Sequence, residues 1–230
     1  MRIHRSKTSL APAKVKEDPK RIVFYGKEYG LLPYHVAALL KKEAPEKEIL
    51  LIDNSSMQDL YRPLPGTEDI KSAENGYVLS RRLYDESFCK NFDYTIAYLG
   101  TYYSEEYLLN ADHICLCLGY FPWEQDFLNE KSVIHHTEGQ TVIGIFLDKV
   151  SGKISEKNIL KNTPLQKGDH IYVSELDPAD KACYLAYAYN GSQELSKMGN
   201  RWKELIVGLC SDITGKPLAD FKKAAKEGGK

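Results

Sequence analysis

Residues 21–40 constrain the fold more than any other stretch of the chain. Ile22, Val23, Phe24 and Tyr25 run unbroken into Gly26, a second glycine stands at Gly30, and Pro33 opens an amphipathic stretch through Val36, Ala37, Leu39 and Leu40. A buried run, a glycine loop and a proline in a first helical turn predict strand, loop and helix. In that order the helix N-terminus is aimed across the end of the strand, the geometry in which helices receive anions. A phosphate-binding loop ends in lysine and then serine or threonine. Here Leu32, Pro33 and Tyr34 stand in that part of the loop. The frame of a nucleotide site is legible; its phosphate chemistry is missing.

The rest of the chain repeats the alternation. A helix is expected from Pro33 to about Lys42, and further strands at Glu48–Asp53, Phe92–Leu99, His113–Leu118, Thr141–Leu147 and His170–Val173. Between them, 54–76 reads as a long polar connection containing Pro63, Pro65 and Gly66. Helices are expected at Tyr77–Asn91, Ser104–Asn110, Trp123–Glu130, Ser155–Lys161, Ala179–Tyr189, Arg201–Asp212 and Pro217–Lys226. Ser104 is the expected cap of its helix, with Glu105 and Glu106 in the first turn. Near-continuous apolar strands alternating with helices predict an α/β three-layer sandwich around a mostly parallel sheet.

With 230 residues, 43% apolar and 27% charged, the chain suits one soluble globular domain. Five cysteines at scattered spacing argue against a disulfide framework. The basic, polar start holds no apolar signal core and no run reaches membrane-spanning length, so a cytoplasmic protein is expected. The net charge of −1 divides into +5 over residues 1–21, −9 over 22–215 and +3 over 216–230. Residues 1–19 read as a disordered basic lead-in, 20–215 as the domain and 216–230 as a basic C-terminal helix or tail. Basic ends on an acidic body are expected to be solvated; contact with DNA or an anionic membrane is the weaker use.

At this resolution the order of parts resembles the ParA/MinD family of P-loop ATPases with a deviant phosphate loop, including its TadZ-like and CpaE-like members. The resemblance covers residues 20–215. It rests on Gly26-Lys27 before the loop, on Asp53 closing Leu-Leu-Ile-Asp, and on Asp93-Tyr-Thr-Ile-Ala-Tyr-Leu-Gly100 followed by Ser104-Glu-Glu-Tyr107. Ala111-Asp-His-Ile114 and Phe146-Leu-Asp148 complete the series. It implies a MinD/ParA-like P-loop NTPase fold, with Lys27 as the signature lysine that crosses to a partner subunit and Asp148 in the place of an adenine-reading asparagine.

The departures from that pattern fall on the chemistry. Glu28 and Tyr29 replace loop glycines, Leu32 the phosphate lysine, Pro33 the magnesium-holding hydroxyl and Tyr98 the third-strand aspartate. Glu28 adds like-charge repulsion toward a phosphate, and Pro33 removes an amide. The expected remnant site is therefore Gly26, Lys27, Glu28, Tyr29, Gly30, Leu32, Pro33, Tyr34, Asp53, Tyr98 and Asp148, with no catalytic residue, metal or cofactor. The resemblance then implies a pseudo-ATPase serving as a nucleotide-independent scaffold or positioning protein in partition, conjugation, or pilus or secretion assembly. It would act with a protein partner and as a homodimer joined through Lys27, Glu28 and Tyr29, Glu28 facing Lys27 of the other subunit. An ATP-binding dimerisation switch holding ATP or ADP with magnesium, and a DNA-tethering module using the basic tails, stay open as alternatives.

Other residues are read beside plainer roles. Tyr29, Tyr34, Tyr98, Tyr102, Tyr103 and Tyr107 either plug the vacated site or belong to ordinary core and surface. Cys115 and Cys117, two apart on a buried strand, read as packing, and His135-His136 as loop. His35 reads as a half-exposed helix-face histidine and Trp202 as a core or interface anchor. Asp53 and Asp93 could be remnant acids, but no nucleophile–base pair accompanies them.

Overall fold

The computed structural model describes residues 18–72, 76–125, 139–150, 156–161, 163, 165, 168–190 and 194–226. The strands are β1 Lys20–Gly26, β2 Ile49–Asp53, β3 Ile70–Ser72, β4 Val78–Ser80, β5 Tyr94–Gly100, β6 His113–Leu118, β7 Thr141–Lys149 and β8 His170–Glu175. The helices are α1 Leu31–Glu43, α2 Glu86–Cys89, α3 Glu105–Leu109, α4 Glu156–Leu160, α5 Pro178–Asn190, α6 Asn200–Thr214 and α7 Leu218–Lys226. Short 3-10 turns lie at Pro122–Gln125 and Leu195–Lys197.

One sheet holds all eight strands in the order β3-β4-β2-β5-β1-β6-β7-β8. Every neighbouring pair is parallel except β3 with β4. The alternation of β1 shows why the sheet needs cover on both sides. Ile22 and Phe24 join the core shared with α1, α6 and α7, while Val23 and Tyr25 join the one beneath α3 and α4. Each fully buried aliphatic or aromatic side chain contributes about 1.5–3 kcal/mol relative to exposure. The result is the expected three-layer α/β sandwich.

Several elements depart from expectation. Tyr77–Asn91 is not a helix: Val78–Ser80 pairs in parallel with β2 and antiparallel with β3, and only Glu86–Cys89 turns helical. Asp85 starts that turn by accepting the Phe88 amide at 3.0 Å. The polar connection thus contains β3. α1 begins at Leu31, ahead of Pro33, which stays in the first turn where its missing amide costs no hydrogen bond. Of the helix expected at Trp123–Glu130, a 3-10 turn occupies Pro122–Gln125; residues 126–130 lie outside the described residues, as do 1–17 and His135-His136. The C-terminal basic stretch is not a free end as far as Lys226: α7 buries Phe221 and Ala224 against the core, and Lys216 pairs with Glu43 at 2.7 Å. Among the described residues no helix is long and apolar enough to cross a membrane.

Candidate functional site

The carboxyl end of β1 delivers the loop to the place where a phosphate would lie. Gly26 adopts φ +115, a backbone that L side chains rarely take, and the Lys27 amide then donates to the Cys117 carbonyl at 2.9 Å. This turns the Lys27 side chain toward the ends of β6 and β7. Its ammonium pairs with Glu124 at 2.6 Å and Asp148 at 3.2 Å. Asp148, itself at φ +61 beside a register shift in β7, also accepts Lys181 of α5 at 3.0 Å. Lys27 and Asp148, both expected at the site, are therefore brought together, and the lysine has two counter-charges in its own chain.

Glu28 turns the other way. Its carboxylate accepts the Ser56 amide at 3.0 Å and the Ser56 hydroxyl at 2.7 Å, and it lies across Gly100. A Cβ on Gly100 would stand 2.5 Å from a Glu28 oxygen. Glu28 is thus engaged within the chain, and Tyr29 is only 5% exposed. Within the single chain, the three residues expected at an interface, Lys27, Glu28 and Tyr29, have intramolecular partners. The Tyr29 ring stacks on Tyr184 (centroids 5.0 Å, planes 16° apart), leans on Trp202 at 5.2 Å, and lies under the Lys181 ammonium at 4.5 Å.

The N-terminus of α1 carries an anion supplied from elsewhere in the chain. No side chain next to the helix start caps it, and its first turn contains no acid. Instead Asp59 Oδ2 accepts the Gly30 amide at 3.1 Å and the Tyr184 hydroxyl as well. A Cβ at Gly30 would meet that carboxylate at 2.7 Å, so the close approach requires glycine. A carboxylate at a helix N-terminus satisfies an orphan amide and opposes the helix dipole, the service a bound phosphate would perform. Burial pushes the Asp59 carboxyl above its ordinary range, and the donors from Tyr184 and Gly30 work against that shift.

Asp53 and Tyr98 close the floor. The fully buried Asp53 carboxylate accepts the Ser55 amide (3.2 Å) and hydroxyl (2.6 Å) and the amides of Leu60 (2.9 Å) and Tyr61 (3.0 Å). Burial raises it to about 6 against those donors, with the charge of Asp59 adding to the rise. Tyr98 is 1% exposed, its hydroxyl has no hydrogen-bond partner among the described residues, and burial followed by Asp59, Glu28 and Asp53 holds it un-ionised. Leu32, Pro33 and Tyr34 are buried within α1, the Tyr34 ring tilted on Tyr187 at 4.8 Å.

Of the six tyrosines, Tyr29, Tyr34 and Tyr98 fill this region. Tyr103 and Tyr107 pack beneath the opposite face of the sheet, and Tyr102 is exposed. His35 is fully buried, not half-exposed, and accepts the Trp202 indole N–H at 3.0 Å, which makes Trp202 a core anchor. Asp93 lies at the amino end of β5, bound to Lys47 and the Glu48 amide, far along the strand from Tyr98. Cys115 and Cys117 are buried packing thiols whose ionisation burial suppresses.

Residues that sequence reasoning missed do much of the filling: Asp59, Glu124, Lys181, Tyr184 and Tyr187. Lys181, Tyr184 and Tyr187 recur every third residue of α5, which puts them on one helix face. That spacing was a readable signal. Asp59 and Glu124 had none, because Asp59 lies in an irregular connection and Glu124 in a single short 3-10 turn.

These residues differ in chemistry from the lysine, hydroxyl and carboxylate that hold ATP with magnesium in a phosphate loop. The amide of Gly30, at the N-cap of α1, already carries a carboxylate, Leu32 and Pro33 offer neither cation nor hydroxyl, and Tyr98 offers a buried, un-ionised phenol in place of a carboxylate. Among the described residues no three His, Cys, Asp or Glu side chains are grouped to hold a metal ion.

Comparison with solved structures places the fold. The chain is similar to a ParA family ATPase from Chlorobium tepidum, with TM-score 0.51 and 12% identity over 91% of this chain and 97% of that one. It also matches the MinD cell division protein of Aquifex aeolicus (TM-score 0.48, 13% identity, 86% and 98% covered). A plasmid partition protein from Borrelia burgdorferi follows (TM-score 0.42, 13% identity, 75% and 96% covered). No family model and no curated protein sequence matches the chain. The order of strands and helices and the first of these likenesses give the chain the ParA/MinD-type P-loop NTPase fold.

Proposed function

We propose that this chain is a pseudo-ATPase on the ParA/MinD-type fold, working as a nucleotide-independent scaffold or positioning protein in partition, conjugation, or pilus or secretion assembly. The observation that carries the reading is Asp59 seated on the Gly30 amide. A nucleotide phosphate would have to displace a carboxylate that Tyr184 also holds, and would enter a site already containing Glu28 and Asp53. Like charges at such range in a half-dry site cost several kcal/mol, and the nearby ammonium groups of Lys27 and Lys181 are already paired with Glu124 and Asp148. The partners named for solved proteins of this fold, such as MinC with MinD, suggest that this chain too acts through another protein.

The same reading includes a homodimer joined at the carboxyl ends of the parallel strands. Met57, Tyr102, Phe121, Trp123 and Val150, each more than half exposed, follow β2, β5, β6 and β7 at that one end of the sheet. Phe121 and Trp123 stack with centroids 4.6 Å apart. With Lys27 neutralised inside its own subunit, this apolar rim supports association without nucleotide charge between the subunits.

A thermal-shift scan with ATP, ADP and magnesium tests the proposal. No shift is expected. A magnesium-dependent stabilisation by ATP that Lys27→Ala abolishes would instead establish the ATP-binding switch.

A further inference from the structure

A second site lies apart from the loop, on the face of the sheet away from α1. Arg21 and Thr95 are register partners near the amino ends of β1 and β5. Between that pair of strands and the helices α2 and α3 is a cavity of about 30 Å³, walled by Thr95, Ala97, Cys89, Tyr84 and Tyr107. Glu86 and Glu106, both exposed, stand at its mouth beside Arg21.

Most polar groups of the walls are matched. The Tyr107 hydroxyl donates to the Tyr84 carbonyl at 2.7 Å and accepts the Tyr84 amide at 2.9 Å. The Cys89 thiol is directed at the same carbonyl, 3.9 Å away, and Arg21 pairs with Glu86 at 2.7 Å. Thr95 is the exception. It is 3% exposed, alternation puts its side chain on the same sheet face as Ala97 and Leu99, and its hydroxyl has no hydrogen-bond partner among the described residues. Cys89 stands beside it, but burial pushes that thiol up and keeps it protonated, and a thiol sulfur is a weak acceptor. A buried hydroxyl is ordinarily paired.

We propose that this cavity binds a short, uncharged primary alcohol whose hydroxyl pairs with Thr95. Both hydroxyls can donate and accept, so either direction of the hydrogen bond serves. The volume takes roughly two or three heavy atoms, the size of a CH2–OH head, and the alkyl stem leaves against Tyr84 and the aliphatic part of Arg21. Water alone is the poorer occupant. A buried water is held by about three hydrogen bonds, and Thr95 is the one buried, unpaired group in these walls among the described residues. A charged head also fits less well, since it would lose its hydration against one neutral partner. An ammonium would in addition meet Arg21, and a carboxylate would pass Glu86 and Glu106. The site stands whether or not the phosphate loop is inert.

An NMR titration of the full chain with 1-butanol tests this, read at the backbone amides. Saturable shifts centred on Thr95, Cys89 and Tyr107 are expected. Thr95→Val keeps the branched shape and removes the hydroxyl. It should fold at least as stably as the wild type, because an unpaired buried hydroxyl is gone, and should bind 1-butanol about three- to tenfold more weakly, the scale of one neutral hydrogen bond. Butyrate and butylammonium, with the same stem and a charged head, should bind the wild type far less well than the alcohol. This ligand series needs no variant and tests the head group by itself. The site is refuted by shifts that do not saturate or that centre elsewhere, by unchanged affinity in Thr95→Val, or by either ion binding as tightly as 1-butanol.

Discussion

The Tyr184 hydroxyl donates to the same Asp59 oxygen that accepts the Gly30 amide, so one carboxylate fastens α5 to the first turn of α1. This is one of a few polar fastenings on a shallowly seated helix. Only Asp180 and Tyr187 of its residues are buried, and Leu185 and Tyr189 are exposed. Lys181 on Asp148 and Tyr187 on the Leu60 carbonyl at 3.0 Å complete the attachment.

Asp59→Ala should therefore destabilise the protein by about 2–4 kcal/mol, since it strands a buried amide and a tyrosine hydroxyl together. Asp59→Asn keeps an acceptor for Gly30 and should cost clearly less. Urea midpoints of the two variants decide the matter. Equal losses would mean that the charge, and not the acceptor, is what α1 requires.

Tyr184→Phe removes the hydroxyl and leaves the ring on Tyr29. Amide exchange should quicken across α5 while α6, whose Trp202, Leu205, Ile206 and Leu209 are buried, keeps its protection. Uniform quickening of both helices would show that α5 opens only when the whole domain unfolds.

Asp53 gives a pH dependence of defined sign. Its folded pKa, about 6, lies above the ordinary value of 3.8. The folded state thus keeps a proton that the unfolded chain releases. The resulting stabilisation is complete below the unfolded pKa and is lost as pH rises through the folded one. Between pH 7 and pH 4.5 the wild type should gain roughly 1–3 kcal/mol relative to Asp53→Asn. The carboxyls held low by partners, Glu86 beside Arg21 and Glu156 beside Lys149, act mainly at lower pH. Parallel stability curves for wild type and variant would exclude Asp53 as the titrating group. The asparagine itself should be less stable near neutrality, because its amide N–H2 meets donors from Ser55, Leu60 or Tyr61 in either orientation.

How much of this was legible follows from what sets each feature. The central strands are continuous apolar runs and the loop is marked by Gly26 and Gly30, so the layers and the place of the site could be read directly. Val78-Leu79-Ser80 could not, because three residues carry no period and their strand identity comes from pairing with Leu50–Ile52. His35 read as a half-exposed residue because its burial depends on Trp202, distant in sequence. That Leu32, Pro33 and Tyr98 stand where a phosphate loop carries lysine, hydroxyl and carboxylate could be read from the sequence. The seat of Asp59 on the Gly30 amide could not, since a lone aspartate in a polar connection gives no sign of which amide it will reach.

Lys27→Ala should act on stability and leave nucleotide response unchanged. The substitution leaves Glu124 without its ammonium partner and Asp148 with Lys181 alone. Their side chains are about one-fifth exposed, which puts the loss at about 1–2 kcal/mol, above that of a surface pair. A rise in ionic strength should narrow the difference only modestly, because partly buried pairs are weakly screened. An unchanged melting temperature would remove the network from the account of the loop.

The final prediction concerns the apolar rim. Trp123 is the most exposed of its members and stacks on Phe121, so the pair presents flat aromatic area to solvent with no polar cover of its own. Aromatic anchors of this kind concentrate binding energy near the centre of interfaces. If two subunits meet there, Trp123→Asp buries an unpaired charge in the contact and should convert a dimer to a monomer at tens of micromolar. The fold should not notice, because Trp123 makes no contribution to either main core cluster. Sedimentation velocity beside a melting curve separates these effects. A wild-type monomer at that concentration, or a dimer that survives Trp123→Asp, would place the contact elsewhere. A Glu28→Lys variant gives the complementary reading. Glu28 is held by Ser56 inside its own subunit, so this substitution should lower stability and leave the association state as it was.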